Sequence, residues 1–233
     1  MSDGHTFGTM KGSVGLGDTL LLTAICKNVR FTPTIHLRPT QQRFRILFDK
    51  IANVKIVKPR HVRLIIDRPA RSSHEILNDH WTYSKLRNYF DEPDAFDIRP
   101  LVLHSTYESE KWARDYIQSN FSNDKPCVIY KRSCSAHWDY LRSIPVELSN
   151  NILSDLSKDF NVIDMASPEI ANLDLSKYIC LLRRCGSYVG CNTGDMHLAI
   201  SVGCQCTIYE PSDWDESHRW RYRHPTIKYV NWS

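Results

Sequence analysis

No run of about 18 consecutive apolar residues occurs in the 233-residue chain, so no transmembrane helix is expected. The opening MSDGHTFGTMKGSVG lacks the apolar segment of a secretory signal, and a cytoplasmic location is the expectation. Eight cysteines are many for this length, yet no two form a Cys-x-x-Cys pair. The ten histidines form no HExxH or His-x-His pair either. Without secretion or zinc-type spacing, the thiols read as reduced, small core hydrophobes, and no metal site is expected. Internal repeats and low-complexity segments are absent. With 42% hydrophobic and 24% charged residues, a mainly disordered or collagen-like chain is excluded, and the length suffices for a real core.

Acidic residues are missing from two stretches. Residues 19–48 hold Lys27, Arg30, Arg38, Arg43 and Arg45 with no acid, and the tail beyond Glu216 holds Arg219, Arg221, Arg223 and Lys228 with none. Residues 54–71 set six basic side chains against Asp67 alone. The net charge of +4 is thus concentrated in patches. Such patches favour a polyanionic partner, whether nucleic acid, phosphate groups or an anionic glycan; any one of them also reads as a solvated face.

Short β-branched runs alternate with helix-like stretches. Strands are expected at 6–11, 34–37, 54–57, 62–66 and 101–103, and helices at 18–28, 40–51 and 105–120, the last opened by a Ser105-x-x-Glu108 capping box. The polar FSNDKP segment then reads as a linker. A second series follows, with strands at 127–131, 161–164, 187–190 and 206–209 and helices at 146–159, 175–184 and 195–202. The alternation implies parallel sheets with helices on both faces. Two Rossmann-like α/β domains, residues 1–122 and 123–233, are expected to face each other across a cleft, with ligands at the carboxyl ends of the strands.

Three motifs fall at such strand ends. Gly12-Ser13-Val14-Gly15-Leu16-Gly17-Asp18 follows the first strand and precedes a helix. Its spacing is neither the dinucleotide pattern nor a P-loop. It leaves Asp18 at a helix start, where a carboxylate serves as an N-cap or stays ionised as a general base. Further on, Asn192-Thr193-Gly194 leads from a strand into a helix carrying His197, so that the amides of residues 193–195 offer an anion site suited to a diphosphate. His197, about one turn inside, either faces that site or packs in the core. Between them, the loop after strand 127–131 holds Lys131, Arg132, Ser133 and His137, and Arg142 precedes Ser143-Ile144-Pro145 at a helix start. A guanidinium there would neutralise a leaving diphosphate, or it lies on the surface.

Taken in order, these motifs resemble the lipopolysaccharide heptosyltransferase family, the ADP-heptose-type glycosyltransferases. The resembling residues are Gly15-Leu16-Gly17-Asp18, Arg142-Ser143-Ile144-Pro145 with Arg for the usual Lys, Asn192-Thr193-Gly194-Asp195-Met196-His197-Leu198-Ala199 with Asn for the usual Asp, and Glu210-Pro211-Ser212-Asp213 with Glu for the usual Gly. The resemblance spans nearly the whole chain. It implies the B-type glycosyltransferase fold and an inverting, metal-free transfer from a nucleotide-sugar, which is a co-substrate rather than a cofactor. It implies Asp18 as catalytic base and phosphate contacts from Arg142, Thr193, Gly194 and His197; Gly17, Arg132, Ser133 and Asn192 are expected beside them on the donor side. The departures at Asn192 and Glu210 imply a different nucleotide or sugar.

The acceptor is expected to be anionic, met by Arg38, Arg43, Arg219 and Arg221. A hydroxymethylated pyrimidine in duplex DNA, of the kind that bacteriophage glycosyltransferases modify, stands beside a lipopolysaccharide core or other anionic glycan. The trimmed length and the basic, aromatic tail His218-Arg219-Trp220-Arg221-Tyr222-Arg223-His224 lean towards DNA. The same tail also reads as a helix packed back on the protein. A non-catalytic sugar-nucleotide-binding module is the alternative from another class, and a pure DNA-binding protein lacks any helix-turn-helix or zinc signature.

Overall fold

The computed structural model describes residues 6–8, 16–17, 19–20, 23, 34–37, 39–49, 51–56, 105–121, 124–134, 139–214, 221–222 and 224–233. Contacts divide the chain into two units, Met1–Leu103 and His104–Ser233.

In the first unit, β1 (Thr6–Gly8), β2 (Thr34–Leu37) and β3 (Asn53–Ile56) form a parallel sheet in that order. Ile35 of β2 is in register with Val54 of β3 and Phe7 of β1. The expected helix at 40–51 is instead a 3₁₀ segment, Pro39–Phe48. Its buried side chains Gln41, Phe44, Leu47 and Phe48 recur at intervals that suit either winding, so the pattern alone does not separate a three-residue turn from an α-helix. Residues 19–20 and 23 are helical, and Leu20 is fully buried. Asp18 itself, Arg38 and the strands expected at 62–66 and 101–103 lie outside the described residues.

The second unit holds β4 (Cys127–Lys131), β5 (Asn161–Asp164), β6 (Ser187–Cys191), β7 (Gln205–Pro211) and β8 (Ile227–Trp232). Their spatial order is β5-β4-β6-β7-β8, all parallel. The order reverses between β4 and β6, which makes the carboxyl ends of those two strands the switch point where such sheets take ligands. The helices are α1 (Tyr107–Asn120), α2 (Asp139–Arg142), α3 (Val146–Asp159), α4 (Pro168–Ala171), α5 (Leu175–Cys185) and α6 (Gly194–Ser201). The strand β8 was not expected. Its alternation Ile227, Tyr229 and Asn231 against Lys228, Val230 and Trp232 is weak, because both faces mix apolar and polar residues.

The contact division falls before the expected boundary at residue 122, because α1 packs on α5. Arg184 Nε lies 3.9 Å from Glu110 Oε2, and the Lys177 ammonium sits 5.5 Å from the centre of the Trp112 ring. The cap of α1 is also one residue later than expected. Thr106, not Ser105, is extended (φ −104°, ψ 154°) and its Oγ1 accepts from the Ser109 amide at 3.1 Å. Helix α5 is bounded as its residues dictate. Asp174 caps it by accepting from the Lys177 amide at 2.9 Å, and Gly186 ends it in the left-handed region at φ 66°.

One core cluster joins Val128 and Tyr130 of β4, Val189 and Cys191 of β6, Ile144, and Ile152 of α3. Within it the Tyr130 hydroxyl donates to Ser149 Oγ at 2.7 Å, so its polar end is satisfied. The seven described cysteines are free thiols, six of them buried. Burial pushes Cys180 and Cys204 up to about 12, so these thiols stay protonated and behave as apolar filling. None of the described helices is long and apolar enough to cross a membrane.

Candidate functional site

Gly190, near the end of β6, makes the switch point tight. A Cβ built there would lie 2.6 Å from the Lys131 carbonyl of β4 and 2.8 Å from the Tyr188 hydroxyl. The chain then passes through Asn192 and Thr193 into α6. Thr193 is extended (φ −140°, ψ −179°), and its side chain makes no capping bond to the helix amides. The first-turn N–H groups thus lack a side-chain cap at the carboxyl edge of the sheet, an arrangement that suits an anion. The Thr193 hydroxyl lies 3.4 Å from Asp195 Oδ2, and the Lys131 ammonium, at the end of β4, stands 3.9 Å from the same oxygen. Beneath the turn, the Tyr178 and Tyr188 hydroxyls are fully enclosed near Asp195, without an aligned hydrogen bond. Burial, and then the Asp195 charge, push both phenols well up, so they stay neutral donors.

A second loop closes on the same edge. Arg132 O accepts from the Ile144 amide at 3.0 Å, Arg132 Nε donates to Ile144 O at 3.1 Å, and the Cys134 amide donates to Ser143 Oγ at 2.9 Å. This ladder places Arg142 at the end of α2, with its guanidinium 4.5 Å over the Trp214 ring. The Arg132 guanidinium thus holds the loop, while Ser133 is partly buried beside it.

His197 packs inward, 7% exposed, with Nδ1 2.5 Å from the Tyr222 hydroxyl and its ring edge-on to the Tyr222 ring. Burial, and then the nearby Arg142 charge, lower its pKa to about 3, so the ring is a neutral imidazole at physiological pH. The structure therefore brings Arg142, Thr193, Gly194 and His197 to one edge of one sheet.

Two departures that looked separate in the sequence meet here. Asn192 Nδ2 donates to Glu210 Oε1 at 2.7 Å. Glu210 is fully buried, and its other oxygen accepts from Arg221 Nε at 2.8 Å and from a terminal guanidinium nitrogen at 2.5 Å. Arg221 also donates to Asn231 Oδ1 at 3.1 Å. The register that pairs Cys191 with Tyr209 and Glu210 with Asn231 lines up this row across the sheet. Lys131 and Glu210 stood in the sequence motifs without an assigned contact, and Tyr222 was absent from the expected site. An acid near a strand end and a tyrosine within a basic tail do not reveal their partners.

The remaining expected residues are elsewhere. Arg219 and His137 lie outside the described residues, and Gly17 is helical and partly buried in the first unit. Arg43 is exposed, its guanidinium 4.7 Å over the Phe44 ring. It lines an open groove of about 840 Å³ with Arg45, Lys55 and Asp49, beside the start of β3. A smaller groove of about 450 Å³ in the second unit lies at the amino ends of β6 and β7, near Ser187, Gln205 and Lys228. That is the opposite edge from the anion turn.

Among the described residues no group of three or more His, Cys, Asp or Glu side chains converges as a metal cage. The sequence does carry an Asp-x-Asp triplet, Asp213-Trp214-Asp215, a pattern able to share a divalent cation. Asp213 lies in the turn after β7, and Asp215 is outside the described residues. The expectation of a metal-free site passed over this triplet and rests on the lack of zinc-type Cys and His spacing and on the family resemblance.

No protein-family model matches the sequence, and no curated protein matches it. Solved structures do. The chain is similar to a glycosyl transferase family 9 structure from Veillonella parvula DSM 2008, with a TM-score of 0.68 and 12% identity over 97% of this chain and 85% of that one. It is similar to TibC, described as a bacterial iron-containing dodecameric glycosyltransferase from enterotoxigenic E. coli H10407, with a TM-score of 0.55 and 12% identity over 97% of this chain and 63% of that one. A structure of the TibC heptosyltransferase in complex with ADP-D-beta-D-heptose gives 0.53 at 12% identity, with the same coverage. At such identities the likeness establishes the fold, which is α/β with parallel sheets and of the B-type glycosyltransferase class.

Proposed function

We propose that the chain is a glycosyltransferase that moves a sugar from a nucleotide-sugar to an acceptor hydroxyl. The observation that carries this reading is the anion turn at the β4/β6 switch point. Uncapped amides of α6 and the Arg142 guanidinium share one sheet edge with the Lys131–Asp195 ion pair, within a fold shared with a glycosyl transferase family 9 structure. A nucleoside diphosphate is the leaving group this edge is built to receive. Amide dipoles and fixed cations stabilise charge that grows as the sugar–phosphate bond breaks. His197, held neutral, packs behind the turn without adding charge to it.

Asp18 is the proposed base. It takes the proton from the acceptor hydroxyl as that oxygen attacks the sugar C1, with inversion through an oxocarbenium-like transition state. Arg142 and the turn at Thr193–Gly194 neutralise the departing diphosphate, and no metal is required in this scheme. The acceptor is proposed to be anionic, consistent with the acid-free stretch 19–48 and the groove lined by Arg43, Arg45 and Lys55. A hydroxymethylated pyrimidine in duplex DNA is tested first and an anionic glycan core second.

The test combines a screen of nucleotide-sugars for thermal stabilisation with mass spectrometry of both acceptors. Asp18→Asn should abolish transfer and leave donor binding nearly intact; a fully active variant removes Asp18 from the mechanism. Slow donor hydrolysis without acceptor marks a transferase, whereas donor binding with no hydrolysis and no transfer marks a binding module.

A further inference from the structure

The dipeptide Arg221–Tyr222 belongs to the tail whose composition points to a polyanion, yet its side chains are spent inside the second unit. It lies in neither a helix nor a strand, and its two side chains reach different partners. Arg221 meets Glu210, which in turn holds the Asn192 amide. Tyr222, 3% exposed, meets His197 Nδ1. Asn192 stands immediately before the anion turn, and His197 stands one helical turn beyond it. The two contacts therefore pin both ends of the segment whose amides face the anion. Strand β8 anchors the dipeptide: the Tyr222 amide donates to the Tyr229 hydroxyl at 2.8 Å, and the Arg221 guanidinium lies 5.2 Å over the Tyr229 ring.

We propose that Arg221 and Tyr222 are positioning residues of the donor turn, Arg221 acting through Glu210 on Asn192 and Tyr222 acting on the His197 ring. The inference rests on reading that turn as the seat of a nucleoside diphosphate. Neither residue touches the ligand. Tyr222 selects one orientation of the imidazole, and Arg221 keeps the buried carboxylate compensated, so that Glu210 orients Asn192 without repelling a phosphate.

The experiment uses the full chain and titrates ADP, GDP, UDP and CDP by calorimetry against wild type, Tyr222→Phe and Arg221→Lys. Tyr222→Phe removes one oxygen, and Arg221→Lys keeps the charge but loses the planar fork. Each should weaken the nucleoside diphosphate that wild type prefers by about five- to tenfold, the effect of one well-placed hydrogen bond. Tyr222→Phe should also shift the ¹⁵N resonances of the His197 ring, which a generally loosened fold would not do selectively. Wild-type affinity in both variants overturns the inference while leaving the proposed function standing. So do unchanged nucleotide affinities with duplex-DNA binding lost instead. Failure of wild type to bind any of the four nucleotides overturns the proposed function and this inference with it. Should Tyr222→Phe fail to fold, Arg221→Lys decides the matter by the same affinity criterion.

Discussion

Substituting Asn192→Asp isolates the buried row Asn192–Glu210–Arg221. The change swaps an amide for a carboxylate of the same shape, placing two carboxylate oxygens near the present 2.7 Å contact. At an effective dielectric of about 20, two charges about 3 Å apart repel by about 5 kcal/mol, and the lost charge-assisted hydrogen bond adds about 2 kcal/mol. Arg221 already compensates Glu210 and is partly solvated, which offsets part of this sum. A net loss of about 3 kcal/mol at pH 8 is expected, or about 10 °C in Tm for a chain of this size. Adding Glu210→Gln to Asn192→Asp reverses the polarity of the hydrogen bond and should recover most of the loss. Thermal and urea unfolding of the three proteins at pH 8 measure all of this. A single substitution with wild-type Tm at pH 8, or a double variant no better than the single, refutes the coupling.

Two further outcomes follow from the same edge of the sheet. Gly190→Ala drives a methyl group against the Lys131 carbonyl, a backbone atom that cannot rotate away, and should cost about 1–3 kcal/mol by forcing β4 and β6 apart; an unchanged urea midpoint would contradict that close approach. His197 is neutral in the folded protein down to about pH 3, whereas an unfolded histidine takes its proton near pH 6.5. Its contribution to stability is therefore complete above pH 6.5 and is lost progressively as the pH falls towards 3. That amounts to about 2 kcal/mol between pH 7 and pH 5. His197→Gln should remove this slope, and an identical pH dependence in the variant would show that the ring is not buried neutral.

Much of the second unit is legible from local pattern. The helices 146–159 and 175–184 and the strands at 127–131 and 161–164 appear where runs and spacings of apolar residues place them, because these are set by residues close in sequence. The segment 39–48 is less legible. Spacings of three and of three-to-four overlap over so short a stretch, and only packing chose the tighter winding. The pairing of α1 with α5 was likewise hidden, since a helix just before a polar linker reads as belonging to what precedes it.

Composition and spacing were enough for the alternating strands and helices, the reduced buried thiols and a turn entering a helix at residues 193–194. These are local properties, set by side-chain size, hydropathy and backbone preference within a few neighbouring positions. Tertiary structure alone joined Asn192 to Glu210, turned Arg221 and Tyr222 inward, and buried His197 as a neutral ring. Those partners are 11 to 25 residues apart in the chain. They meet because parallel strands put the ends of β6, β7 and β8 side by side, and a charge or hydroxyl at such an edge has no local signature of the partner it will face.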